Sequence, residues 1–209
     1  PLALAISGVD GVGRRTLAGR VFQDIYPYLG ASQPEISVIS GAGASDLFRD
    51  ILGVEGAATK AEIFERIKNF EEQSDFERTN VLCREIARIS EQNQVLFVID
   101  DGGVLAPDGS FSPDIKAILG GLAELKFAQP PLCFILFRTP PAKARERSEV
   151  LYFKIDGLQN EDMRMLISLH IKRMGMTATM QQVEGLANLL DGHPYNLEFL
   201  IDLLSSCLL

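Results

Sequence analysis

At 209 residues with 46% apolar content, the chain is long enough to bury the core of one large domain, or of a domain with a small appendage. Its formal net charge of −8, without any Lys/Arg-rich run, excludes the broad positive field of a nucleic-acid or anionic-membrane binder, and no apolar run is long enough to span a bilayer. Three widely spaced cysteines in apolar surroundings, Cys83, Cys133 and Cys207, fit reduced core thiols in a cytoplasmic protein, and the two histidines, His170 and His193, leave no Cys/His zinc site.

The first predicted element is a buried strand at 2–7, followed by a turn carrying Gly8, Gly11 and Gly13 and a helix at 15–29. Strand, glycine-rich turn and helix start are the layout of a phosphate-binding loop. Backbone N–H groups left over at the helix N-terminus converge on an anion, the helix dipole adds positive potential, and glycine lets the backbone approach closely. Against the pattern G-x-x-x-x-G-K-[ST], Gly8 and Gly13 match, Arg14 takes the Lys position, Arg15 takes the hydroxyl position, and Thr16 comes one residue late. Arginine keeps the charge but presents a planar fork in place of a compact ammonium. The loop therefore suits a nucleotide and is poorly equipped for Mg2+. The competing reading is a glycine-rich turn with two solvated arginines.

Further strands are predicted at 36–39, 95–99, 132–137 and 151–155, with helices at 45–52, 60–72, 76–92 and 112–125 between them. Such alternation implies a parallel sheet sandwiched by helices. Thr59 followed by Glu62 reads as a capping box. The strand at 95–99 runs into Asp100 and Asp101, at the edge where open α/β sheets bind ligands. Asp100 would hold Mg2+ and its neighbour would orient or deprotonate an attacking water, so both are candidate catalytic residues; an Asp-Asp-Gly-Gly turn is the alternative. Arg138 ends the next strand, placed to sense a γ-phosphate or simply to cap the strand. Phe153-Lys154-Ile155-Asp156 only partly matches a guanine-reading N-K-x-D, and an edge strand explains it better.

Beyond Ile155 the pattern becomes helical, at 160–174, 179–190 and 194–206, which sets a nucleotide-binding domain at 1–156 against a helical subdomain at 157–209. Gly192 and Pro194 suit the turn between two of these helices, and the same turn would place His193, Pro194 and Tyr195 against a base. The chain opens on Pro1 and stops on Leu208-Leu209 inside an apolar pattern, as a piece of a longer polypeptide would.

Together these residues resemble the STAND class of P-loop NTPases, specifically the NB-ARC region of plant resistance proteins and the apoptotic protease-activating factor. The matching features are the run from Gly8 to Ala18, the apolar strand ending Asp100-Asp101, Arg138 after a strand, and Gly192-His193-Pro194, with Leu158, Glu161 and Leu166 resembling the entry to the helical subdomain. The resemblance implies an α/β, three-layer P-loop fold with a five-stranded, mainly parallel sheet, followed by a small helical subdomain. It further implies an ADP- or ATP-binding switch using Gly8, Gly11, Gly13, Arg14, Arg15, Thr16 and Leu17, with Arg138 near the terminal phosphate and Pro194 near the adenine. Effector and sensor regions, and self-association or protein partners, would lie outside this chain; nucleic acid and membrane are not expected. Arg14 and Arg15 depart from the family pattern and argue against more than slow hydrolysis and against ordinary Mg2+ ligation. The alternative function is a nucleotide-free pseudo-NTPase scaffold; a GTPase or small-molecule kinase fits less well.

Overall fold

A computed structural model describes residues 1–8, 12–30, 33–55, 59–141, 149–194 and 196–197. In chain order the elements are β1 (Ala3–Ser7), α1 (Arg14–Ile25), β2 (Glu35–Ile39), α2 (Ala44–Glu55), α3 (Lys60–Glu71), α4 (Asp75–Glu91), β3 (Leu96–Asp101), α5 (Pro113–Leu122), β4 (Leu132–Leu136), β5 (Val150–Lys154), α6 (Asn160–Arg173) and α7 (Met180–Leu190). The chain divides into two compact units. The first comprises Pro1–Ser7 and Arg15–Lys154; the second takes in Gly8–Arg14 and the chain from Ile155 onward, so the contacts group the glycine turn with the helical segment. No helix among the described residues is long and apolar enough to cross a membrane.

In the first unit the five strands pair in the order β2-β3-β4-β1-β5, and every ladder is parallel. The central strands β1, β3 and β4 are buried apolar runs, as strands covered on both faces must be, whereas the edge strands β2 and β5 are partly exposed. Alternation then assigns each side chain a face. Ala3, Ala5, Ile36, Val38, Leu96, Val98, Leu132, Phe134 and Leu136 join residues of α2, α3, α4 and α5 in the main core, where the Phe48 and Phe70 rings stack at 4.2 Å. On the opposite face Phe22 of α1 meets Phe97, ring centroids 5.7 Å apart. At the β5 edge the alternation leaves Leu151 and Phe153 exposed.

The expected capping box forms: Glu62 N–H donates to Thr59 Oγ1 at 3.3 Å, and Thr59 N–H donates to Glu62 Oε2 at 2.7 Å. Helix α1 stops at Ile25, short of the predicted 29. Pro27 has no N–H to continue the ladder and disfavours helix at Tyr26, and a turn closed by Leu29 N–H on the Tyr26 carbonyl (2.9 Å) follows. In the second unit Met163 and Ile167 of α6 pack against Val183, Ala187 and Leu190 of α7, and Leu197 completes that core. The helix predicted at 194–206 is described only at Pro194, Asn196 and Leu197; Tyr195 and its remainder lie outside the described residues.

Both described cysteines are buried free thiols, and desolvation pushes Cys83 up to about 11 and Cys133 up to about 12. Iodoacetamide at pH 8 should leave both unmodified in the folded protein and label both in denaturant, as read by peptide mass spectrometry. Rapid native labelling of Cys133 would contradict its place in the sheet.

Candidate functional site

Parallel pairing brings the carboxyl ends of all strands to one edge, and in the first unit that edge carries most of the polar residues singled out by sequence. Asp100 is buried, 4% exposed, on the face of the main core. Its Oδ1 accepts the N–H groups of Val104 at 3.0 Å and Gly102 at 3.2 Å, so half of the carboxylate is spent folding its own turn. Its Oδ2 is equally buried and has no hydrogen-bond partner among the described residues. Burial pushes this carboxyl above the usual Asp range, against the opposing pull of the Val104, Gly102 and Leu105 N–H groups and of the Arg138 charge.

Asp101 points the other way, because successive strand residues alternate faces. It is exposed and accepts a hydrogen bond from Ser37 Oγ of β2. The two acids predicted to act together are therefore not brought to one side of the sheet. Arg138 is also committed: one guanidinium N–H donates to the Ala106 carbonyl, the Phe137 ring centroid lies 5.3 Å from its Cζ, and its buried Nε has no partner among the described residues. Beside it, Ser7 donates to the Phe153 carbonyl at 3.3 Å, which leaves Thr139 to donate to Ser7 Oγ at 3.1 Å.

Helix α1 opens on Arg14. Arg15 is exposed and ion-paired to Glu35 of β2 at 3.6 Å, so the residue at the hydroxyl position is turned onto an edge strand. Thr16 and Leu17 are exposed on the same first turn. No acidic side chain occupies that turn, whereas α2 through α6 each place at least one there.

Within the second unit, Gly13 precedes α1 at φ +89°, a left-handed conformation with open space around it. Gly8 needs to be glycine for another reason: a Cβ there would stand 2.7 Å from the Ile155 carbonyl oxygen and 3.0 Å from Val12 Cγ1. Gly11 lies outside the described residues. Gly192, at φ +77°, follows Asp191, also left-handed at φ +45°, and Pro194 starts the next helical residues.

No protein-family model matches the chain, and no curated protein matches it by sequence. Solved structures do. A Signal Transduction ATPase with Numerous Domains (STAND) protein with a tetratricopeptide repeat sensor, from Pyrococcus horikoshii, superposes with a TM-score of 0.54 at 14% identity, over 92% of this chain and 26% of the other. A Walker-type ATPase of Pyrococcus abyssi superposes with a TM-score of 0.52 at 15% identity, over 93% of this chain and 60% of the other. The chain thus spans about a quarter of the first protein and three fifths of the second.

The fold is that of a P-loop NTPase.

In this P-loop fold the strand β4 lies between β1 and β3, so the acid-bearing strand is not the direct neighbour of the strand that feeds the glycine turn. Among the described residues no three His, Cys, Asp or Glu side chains cluster, Asp100 Oδ2 has no hydrogen-bond partner, and Arg15 at the hydroxyl position pairs with Glu35. Sequence reasoning missed Val12, Ser7 and Thr139. The latter two are visible only as hydroxyls at strand ends, and Val12 only as an apolar residue inside a glycine turn.

Asp100 sets a pH dependence. Its native carboxyl keeps its proton to higher pH than an unfolded Asp, so this group's contribution to stability is full below the ordinary value of 3.8 and is lost as pH rises through the raised native value. Asp100→Asn keeps an oxygen for the two turn N–H groups and removes the buried charge. Calorimetry at pH 7 should therefore show a higher Tm, about 2–4 °C per kcal/mol gained at this chain length. A lower Tm would mean that the carboxylate is paired and stabilising.

Proposed function

We propose that this chain is the adenine-nucleotide-binding switch module of a larger STAND-type signalling protein, taking ADP or ATP with little or no turnover. The observation that carries this reading is the start of α1. It follows a left-handed glycine, holds no acid in its first turn, and begins with two arginines, in a P-loop fold. Orphan N–H groups with the helix dipole behind them favour an anion, and Arg14 adds the charge-assisted bonds that phosphate oxygens accept.

The same residues argue for binding over hydrolysis. A water poised for attack needs a base and a stabilised leaving group. Asp100 has one carboxylate oxygen held by the N–H groups of its own turn, and Asp101 is tied to Ser37 on the other face. In this reading Pro194 lies against the adenine and Arg138 reports the terminal phosphate, so Arg138 must leave the Ala106 carbonyl when ATP replaces ADP. Nucleotide exchange shifts the module between two states by its differential affinity for them. Effector coupling and self-association follow from regions outside the chain.

A second reading, a nucleotide-free scaffold, is favoured by one contact: the packing of Gly8 against Ile155 requires glycine there without any phosphate. The two readings separate on purified protein. Heat-released supernatant should contain adenine nucleotide on anion exchange, and ADP and ATP titrations should give similar affinity with and without Mg2+. Arg14→Ala should weaken binding at least tenfold, about 1.4 kcal/mol, while Arg138→Ala should spare ADP and erase any preference for ATP. No released nucleotide together with no thermal shift at millimolar ADP would favour the scaffold.

A further inference from the structure

The second unit carries an apolar face that neither reading uses. All five methionines of the chain fall between residues 163 and 180. Only Met163 is buried; Met165, Met174, Met176 and Met180 are exposed, together with Leu169 and Leu189. Between α6 and α7 this face is hollow. A groove of about 450 Å3 is walled by Ile171, Met174 and Met176 from α6 and the turn after it, and by Gly185, Leu186 and Leu189 from α7, with Leu197 adjoining.

Gly185 shapes the groove. Glycine inside a helix costs stability, and a Cβ at this position would meet nothing within 4 Å, so packing among the described residues does not require it. Its effect is to leave α7 without a side chain on the groove wall. Methionine, which lines much of the same face, is the apolar residue that repacks most readily around a partner.

Charge is distributed as unevenly as methionine. Residues 163–183 contain no Asp or Glu, in a chain whose net charge is −8, yet they hold Arg164, His170, Lys172 and Arg173. Arg164 is paired with Glu184, whereas Lys172 and Arg173, in the last turn of α6 beside Ile171 and Met174, are exposed and meet no acid among the described residues. The groove walls are mostly helical, so their backbone N–H and C=O groups are already bonded, and an extended segment laid there would bury its own unpaired. A helix brings its hydrogen bonds with it. A bilayer surface takes a flat or convex face with aromatic anchors, and residues 163–183 hold no Phe, Tyr or Trp.

We propose that this groove is a docking site for an amphipathic helix of a partner protein, with Leu, Met or Phe along the face that enters between α6 and α7 and acidic residues along the flank that meets Lys172 and Arg173. The site does not depend on the nucleotide reading.

Fluorescence anisotropy on the whole chain tests this, using a labelled helical peptide of about 18 residues with Leu at i, i+3, i+4 and i+7 spacing and Glu on both flanks. That peptide should bind. The same peptide with Lys in place of Glu should bind about tenfold more weakly at low salt, a gap that closes at high salt. Lys172→Glu combined with Arg173→Glu should reverse the preference. Gly185→Leu fills the groove with a better helix former, so it should weaken binding about tenfold while Tm stays level or rises. Leu189→Ser, at an exposed position, should also weaken binding in a folded chain.

Failure of the acidic peptide to bind overturns the proposal, and so does equal binding of the Lys peptide or undiminished binding to folded Gly185→Leu. Other occupants leave their own signatures, each of which also overturns it. A dimer in sedimentation that Gly185→Leu abolishes marks a second copy of this chain. Cosedimentation with phosphatidylcholine vesicles containing phosphatidylserine marks a membrane surface. Peptide binding that emerges only in Leu203→Asp marks residues 198–209 of the chain itself.

Discussion

Parallel pairing of β1 with both β4 and β5 is the constraint from which the other features descend. A parallel ladder makes every strand end at the same edge, so the last residues of β1, β3 and β4 come together however far apart they lie in sequence. It also demands helical crossovers on the faces, which is why the central strands β1, β3 and β4 are apolar on both sides. Ser7, Asp100, Asp101 and the run to Arg138 reach a common edge by this rule alone. No side-chain interaction among them is needed to assemble it.

What happens at that edge is a competition for each polar group. Asp100 divides its oxygens between structure and availability: one is consumed by the turn that covers it, the other is buried without a donor among the described residues. A buried acceptor without a partner is costly, and natural folds keep such atoms where something is gained. Arg138 shows the same division, with one nitrogen on a carbonyl and another unmatched among the described residues. Asp101 and Arg15, by contrast, are each paired to an edge-strand residue, Ser37 and Glu35.

The fold was readable because apolar runs of the right length alternate with helical stripes, and these signals are local. The end of α1 was misjudged where the stripe continued through Pro27, a case in which the missing N–H outweighs periodicity. The opposite orientation of Asp100 and Asp101 follows from strand alternation, but only once both are known to lie inside β3 instead of in the turn after it. The pairing of Arg15 with Glu35 was not legible, because Glu35 belongs to another strand and no local pattern announces the pair. Gly8 is the sharpest instance: the motif explains it through an anion, the structure through Ile155, far along the chain.

That last contact bears on how such sequences are recognised. A glycine demanded by main-chain crowding is retained by selection for folding, whether or not any anion ever visits the turn. A lineage that had abandoned its ligand would keep Gly8 unchanged while Arg14 and its neighbours drifted toward ordinary surface residues. Searches keyed to the opening glycine will therefore count extinct sites among living ones, and the informative positions are those whose neighbours leave them free to vary.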